Sequence, residues 1–177
     1  MKKIILLLTA LALLMSMACC GQKAPVPRDP DTVTIVIPPE LVGGETAKEL
    51  KERYSDAGYL SVTLTEEGSA VLTMTKEKHA QLLEVTEQSI RESMDALAAA
   101  EDNRFTRIEA DEKYTHYKVY LPSGELAVGE DFCAVSLMFS SGLYYVVLGQ
   151  EAPAVTVDFV DERTGEVIRT FPAPAEG

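Results

Sequence analysis

The sequence lacks tryptophan and contains only three cysteines and two histidines in 177 residues. Cys19 and Cys20 are adjacent and Cys133 stands alone, so no disulfide framework is predicted and the fold must depend on packing. Cys133 lies in the apolar stretch FCAVSLMF, which is typical of a buried, inert thiol rather than a nucleophile. His79, near a predicted helix start, is expected to be solvated, and a zinc site that combines it with His116 and a carboxylate is the less favoured alternative.

Sequence signatures of catalysis are also missing. The chain contains no GxSxG, HExxH, Walker-type or GxGxxG pattern, which are the signatures of hydrolases, zincins and nucleotide binders. The acidic pairs Asp111-Glu112 and Asp161-Glu162 fall at predicted turns, where acidic residues are expected as solvated turn formers. We therefore expect no enzymatic activity and no cofactor; the alternative is an envelope enzyme, hydrolase-like, without a recognisable motif.

Basic residues are scarce. The chain has 16 lysines and arginines against 28 acidic residues, a net charge of −12. Nucleic acids and anionic lipid surfaces both require a basic face, so neither is an expected partner.

The N-terminus has the pattern of a secretory signal peptide over residues 1–18. Lys2 and Lys3 precede an apolar run from Ile4 to Met17, which is shorter than the roughly 20 residues of a membrane-spanning helix. Cleavage is therefore predicted, and the protein is expected to be exported.

Cys19 is the predicted lipidation site. Ser16, Met17 and Ala18 place small residues at the third and first positions before it, which resembles the lipobox of bacterial lipoproteins, although that family usually has leucine where Ser16 stands. The resemblance implies a diacylglycerol on Cys19, a palmitate-type membrane anchor and a location on the outer face of the cell membrane. The alternative is a freely secreted protein with two adjacent thiols, Cys19 and Cys20.

Three regions are predicted after the signal peptide. Residues 19–31 contain three prolines and no apolar periodicity, which indicates an extended tether behind the lipid-modified cysteine. Residues 32–172 are long enough for one domain with its own core, and residues 173–177 are expected to be a flexible C-terminal tail.

The folded region is predicted to be α+β, with an antiparallel sheet of β-hairpins and helices packed on one face. Apolar periodicity predicts a strand over Thr32–Ile37, a short helix within Glu45–Ala57, a long helix over Lys76–Ala100 with Thr75 as N-cap, and three hairpins. The hairpins join Tyr59–Thr65 to Ala70–Thr75, Phe105–Ala110 to Thr115–Leu121, and Ala154–Val160 to Glu166–Phe171. Val71 is expected among the cross-strand partners of Val62 and Leu64.

The stretch from Phe132 to Gln150 contains no charged residue. Periodicity alone does not distinguish a buried helix from a hairpin that turns at Ser140-Ser141-Gly142, and a membrane span is a third alternative. The buried helix is favoured because it would cover the sheet, although Gly142 and the β-branched pair Val146-Val147 favour the hairpin.

Tyrosine supplies the most suggestive candidate site. Tyr114, Tyr117 and Tyr120 occur within seven residues, and His116 shares one face of the predicted strand with Lys118 and Tyr120. Tyrosine is enriched in interfaces, so Tyr114, His116, Tyr117 and Tyr120 are a candidate recognition face. Core packing with the hydroxyl groups at the rim explains the tyrosines equally well.

Three local patterns, TVTIVIPPELVGGETAKEL, GSAVLTMTKEKHAQLL and VTVDFVDERTGEVI, together resemble a group of small exported proteins and lipoproteins of Gram-positive bacteria. The resemblance implies an envelope location in a cell with a single membrane. It implies no activity and no site residue, because that family has none assigned.

The expected function is that of a lipid-anchored cell-envelope protein whose folded part is a non-enzymatic binding or accessory domain. Its expected partners are the membrane, through the N-terminal lipid, and an unidentified extracellular protein, peptide or envelope ligand.

Overall fold

The computed structural model describes residues 31–55, 59–101 and 104–172. Within these ranges there are four helices and seven strands in two sheets, which confirms the α+β class. The helices are α1 Pro39–Val42, α2 Ala47–Ser55, α3 Lys76–Ala99 and α4 Phe132–Leu148. The strands are β1 Thr32–Ile37, β2 Ser61–Leu64, β3 Ala70–Thr75, β4 Arg107–Ala110, β5 His116–Leu121, β6 Thr156–Asp161 and β7 Val167–Phe171.

The first sheet, which we call sheet A, is antiparallel with strand order β1-β3-β2. Its β2–β3 hairpin is confirmed, but its register pairs Val62 with Leu72 and Leu64 with Ala70. Val71 lies opposite Thr63 instead, so the expected partnership of Val71 with Val62 and Leu64 is wrong. Because side chains alternate along a strand, Val71 faces away from the core that receives Leu72.

The second sheet, sheet B, has the order β4-β5-β6-β7. The two remaining predicted hairpins form its antiparallel pairs, β4–β5 and β6–β7. Its central pair, β5 with β6, is parallel, because α4 lies between them in the chain and returns it to the end at which β5 began. The hairpins therefore form two sheets, one of them mixed, and not the single antiparallel sheet that was expected.

The caps of the helices follow from short sequence patterns. Thr46 and Glu49 form a capping box at α2, in which Thr46 N donates to Glu49 Oε2 at 2.8 Å and Glu49 N donates to Thr46 Oγ1 at 3.3 Å. Thr75 is confirmed as the N-cap of α3, since its Oγ1 accepts a hydrogen bond from Lys78 N at 3.1 Å. Each cap satisfies backbone N–H groups that have no partner within the helix.

Most of the uncharged segment forms one helix, α4, as expected, but the helix is not buried throughout, because Phe132, Val135 and Phe139 are exposed. It ends at Leu148 and is capped by Gly149, whose φ of 68° is left-handed. Gly149 N donates to Val146 O at 3.1 Å, and Gln150 N donates to Tyr145 O at 3.0 Å. This pattern is the Schellman motif, which favours glycine. Among the described residues, no helix combines the length and hydropathy needed to cross a membrane.

Two clusters of buried apolar side chains hold the elements together. Core B lies against sheet B and contains Ile90, Phe105, Tyr114, Tyr117, Val119, Leu121, Cys133, Ala134, Leu137, Val155, Val157 and Phe159. Core A lies against sheet A and contains Ile35, Val42, Leu50, Val62, Ala70, Leu72 and Met74. Helix α3 contacts both sheets, through β1, β3 and β4, and α4 contacts β1 and β6. The two helices therefore connect the two cores.

Candidate functional site

The four residues predicted as a recognition face do not share one face. Tyr117 is fully buried in β5, whereas His116 and Tyr120 lie on the opposite, half-exposed side of that strand. Tyr114 lies in the preceding turn at a φ of 54°, is 6% exposed, and packs edge-to-face on Tyr144 at a centroid distance of 5.1 Å. Tyr114 and Tyr117 are core residues, which corrects the expected recognition face for these two.

Tyr117 anchors sheet B to α4. Its hydroxyl is 2.8 Å from Ser141 Oγ, and Ser141 Oγ donates to Leu137 O at 3.0 Å. Burial raises the pKa of Tyr117 to about 12, against the smaller opposing effect of the bond to Ser141. The phenol is therefore neutral at physiological pH and has a structural role.

His116 lies in a polar network on the outer face of sheet B. Its Nε2 is 2.7 Å from Asp158 Oδ2, and Thr170 Oγ1 donates to Asp158 Oδ1 at 2.6 Å. Burial alone would raise the pKa of Asp158, but the hydrogen bonds from Thr170 and His116 together outweigh it and hold that pKa below its ordinary value. The pair resembles the base and orienting acid of a catalytic triad, but the threonine is bonded to the aspartate and not to the histidine, so no nucleophile is activated by this arrangement.

Tyr120 also uses its polar atom within the protein. Its hydroxyl donates to Glu109 Oε2 at 2.8 Å, and the guanidinium of Arg107 lies 3.5 Å from the centre of its ring. Arg107 also binds Glu109 and Glu162. The hydrogen bond from Tyr120, followed by that from Arg107, lowers the pKa of Glu109. Because these side chains already bond to each other, the outer face of sheet B is a weak candidate for recognition.

The remaining reactive residues have structural environments. Cys133 is 7% exposed, and burial raises the pKa of its thiol to about 12, as expected for an inert core cysteine. His79 is half-buried and not solvated as expected, because its Nε2 lies 2.7 Å from Val147 O and joins α3 to the last turn of α4. Over the described ranges, no three histidine, cysteine, aspartate or glutamate side chains are placed to hold a metal ion.

An apolar cavity of about 460 Å³ lies between sheet A and the two long helices. Its volume is in the range of ligand-binding pockets. The residues that line it are Ile35, Ile37, Leu41, Tyr54, Tyr59, Leu72, Leu82, Val85, Thr86, Ser89, Ile90, Ser140, Leu143, Val146 and Val147. None of these side chains is charged, in a chain of which 25% is charged.

The cavity has a buried floor and an open mouth. Ile35, Leu72 and Ile90 are each at most 3% exposed, whereas Val85 is 65% exposed and Leu41 is 36% exposed. Apolar side chains therefore line a path from solvent to the core. This combination is typical of a site that binds an apolar ligand.

Two tyrosines of the cavity lining lie close to a lysine. Tyr54 and Tyr59 pack edge-to-face at 5.0 Å, and the Lys78 ammonium group lies 5.9 Å from the ring centre of Tyr59. Burial, with a smaller effect of Tyr54, raises the pKa of Tyr59, so its hydroxyl remains a hydrogen-bond donor at physiological pH. A cation and phenolic hydroxyl groups thus accompany the apolar space.

A second apolar groove continues along the same two helices. It is lined by Ser93, Ala96, Leu97 and Ala100 of the α3 region and by Val135, Ser136, Phe139 and Ser140 of α4. Ser140 belongs to both the groove and the cavity. Phe132, Val135 and Phe139 are 74%, 52% and 56% exposed. The uncharged helix α4 therefore has a second apolar stripe that faces solvent.

The sequence contained a signal for this site that residue-by-residue motif reading missed. A helix that is apolar on all sides is normally buried on all sides, and α4 has one face in core B and another along the cavity and the groove. The absence of charged residues from Phe132 to Gln150 therefore indicated that α4 has two apolar faces and not one.

The predicted signal peptide, Cys19, most of the tether and the tail lie outside the described residues. No family model, curated protein or solved structure matches this chain.

Proposed function

We propose that this chain is an exported, lipid-anchored cell-envelope protein whose folded part is a non-enzymatic binding domain. The observation that carries the binding function is the uncharged cavity between sheet A, α3 and α4, which opens to solvent at Val85. An apolar space that reaches solvent costs stability if it stays empty, and a ligand that fills it recovers the cost.

The proposal of a lipid anchor is supported by the sequence before and after Cys19. A diacylglyceryl group on Cys19, with a tether up to residue 31, would hold the folded part on the order of 40 Å or less from the membrane. Intact-mass analysis of the protein from membrane and medium fractions tests this directly. We expect the wild type to be in the membrane fraction and to have the mass of the lipid. Cys19→Ser should lack that mass and be released into the medium. An unlipidated wild-type chain in the medium would refute the anchor.

Photo-crosslinking in the producing cells tests the binding function. A photoreactive amino acid at Val85, in the mouth of the cavity, is expected to give a discrete adduct with a lipid, peptide or protein ligand. The matched control is the same amino acid at Val167, which is similarly exposed, at 54%, but lies in β7 of sheet B. Identical adduct patterns at both positions, or none at either, would refute a binding site at the cavity.

A second candidate function, an envelope hydrolase, is favoured only by the His116–Asp158 pair. The space beside His116 is about 260 Å³ and is lined by Glu109, Ala110, Asp111, His116 and Lys118. Its lining contains no serine, threonine or cysteine to serve as nucleophile. Loss of a hydrolytic activity of the purified protein in His116→Ala, with the unfolding midpoint unchanged, would support this candidate over the binding domain.

A further inference from the structure

The shape of the cavity constrains its ligand. On α3 its lining runs from Leu82 to Ile90, which corresponds to about 12 Å at 1.5 Å per residue. Apart from Tyr54 and Tyr59, the lining consists of aliphatic side chains and small hydroxyl residues. The lining therefore offers apolar contacts to a hydrocarbon chain over this length.

The charge at one end constrains the ligand further. Lys78 precedes Leu82 by four residues on α3 and is therefore on the same helix face, one turn closer to the N-terminus. The ion pairs of the described residues do not include Lys78, and its ammonium group lies beside the Tyr59 ring.

Lys78 also lies in the first turn of a 24-residue helix, where the helix dipole disfavours a cation and favours an anion. An anion at this position would be favoured by the ammonium group, the helix dipole and the phenolic hydroxyl of Tyr59 together. The net charge of −12 would repel an anion at long range, but at physiological ionic strength this repulsion is screened beyond about 8 Å.

We propose that the cavity binds a single-chain anionic amphiphile, of which a fatty acid is the simplest example. The acyl chain lies along α3 between Leu82 and Ile90, and the carboxylate lies at Lys78 and Tyr59. This inference rests on the proposed function, because it names the ligand class of the same site.

Competition binding tests the acyl chain. The purified full chain with Cys19→Ser is first loaded with dansyl-labelled undecanoic acid. Saturated fatty acids from octanoate to hexadecanoate, each below its micellar concentration, are then used to displace this probe. Affinity is expected to increase by up to about fourfold for each added methylene group and to level off once the cavity is filled. Affinity that does not depend on chain length would overturn the proposal.

Two substitutions locate the binding. Val85→Glu places a negative charge in the mouth and is expected to weaken fatty-acid binding at least tenfold, whereas Val167→Glu, at an exposed valine of sheet B, is expected to have no effect. Both positions are exposed, so folding is expected to survive, and the unfolding midpoint checks it. Equal affinities in the two variants would place the binding elsewhere and overturn the proposal.

The carboxylate head group is tested by comparing the affinities of decanoate and decanol. The wild type is expected to prefer the acid by about tenfold to a hundredfold, as for a hydrogen bond to a charged group. Lys78→Gln should abolish this preference, and Lys118→Gln, on the outer face of sheet B, should retain it. A wild type that binds the alcohol as tightly as the acid would overturn the carboxylate site.

These outcomes separate the inference from the function on which it rests. Failure of the fatty-acid series, together with a discrete peptide or protein adduct at Val85 in cells, overturns the ligand class and leaves the binding domain standing. Failure of the series with no adduct at Val85 overturns both.

Discussion

The two sheets are covered by the same helices but are packed differently. In core B, Tyr117, Val119 and Phe159 are fully buried against α4. In core A, Ile35 and Leu72 are each only 1% exposed, yet both also line a cavity of about 460 Å³. Low exposure to solvent therefore does not distinguish a side chain that is surrounded by others from one that also borders a cavity, as Ile90 of core B does.

Three consecutive residues of α4 show the difference most clearly. Ser141 is fully buried and bonded to Tyr117, Ser140 is half-buried beside the cavity, and a Cβ added at Gly142 would meet no atom within 4 Å. One helix thus presents a closed, a partly open and an open surface within a single turn. The cavity to which we assign a function is lined by Ser140 and not by Gly142.

The largest expected contrast comes from truncating one apolar side chain in each core. Phe159→Ala in core B should lower the free energy of unfolding by about 3–5 kcal/mol, because it leaves a void in a filled core. Leu82→Ala should cost only about 1–2 kcal/mol, because Leu82 is half-buried and already borders unfilled space. Urea unfolding at neutral pH measures both; equal costs would mean that the cavity is filled or closed in solution.

Enlarging the neighbouring serines of α4 should give the next largest contrast. Ser141→Leu overfills core B and removes a hydrogen bond to Tyr117, which should cost about 2–4 kcal/mol. Ser140→Leu places its side chain at the cavity and should be neutral or stabilise the fold by up to about 1 kcal/mol. The two thermal unfolding midpoints provide the comparison, and a larger loss for Ser140→Leu would contradict it.

Local patterns predicted most of the elements. The three hairpins, α3 with its cap at Thr75, and the helix that begins at Phe132 follow from periodicity and turn residues. The pairing of β5 with β6 could not be predicted, because it joins strands of two different hairpins and depends on where α4 returns the chain. Contacts between residues far apart in sequence leave no local pattern.

The candidate site was predicted less well than the fold. Alternation along β5 already separates Tyr117 from His116 and Tyr120, so the sequence contained the information that they face opposite sides. The cavity is different, since its lining comes from separate strands and helices and each member has the pattern of an ordinary core residue. A gap between elements is a property of packing and not of any one segment.

The stability of core B at alkaline pH is a further test of the comparison. The pKa of Tyr117 is raised from 10.0 to about 12, chiefly by burial, so the unfolded chain loses this proton first as pH rises. Stability from the neutral phenol is fully present below pH 10 and should be lost progressively up to about pH 12, by about 3 kcal/mol in total. In Tyr117→Phe, the free energy of unfolding, measured by urea titration at each pH, should fall less steeply between these pH values. An unchanged dependence on pH in this variant would show that Tyr117 ionises within the folded protein.

The smallest expected effect tests whether the open side of α4 is open in solution. Glycine within a helix costs up to about 1 kcal/mol relative to alanine, and nothing near Gly142 would obstruct a methyl group, so Gly142→Ala should stabilise the fold by that amount. Gly149→Ala is the control, because its φ of 68° disfavours alanine and should destabilise the fold by about 1 kcal/mol. A destabilising Gly142→Ala would mean that another surface packs against α4 at Gly142.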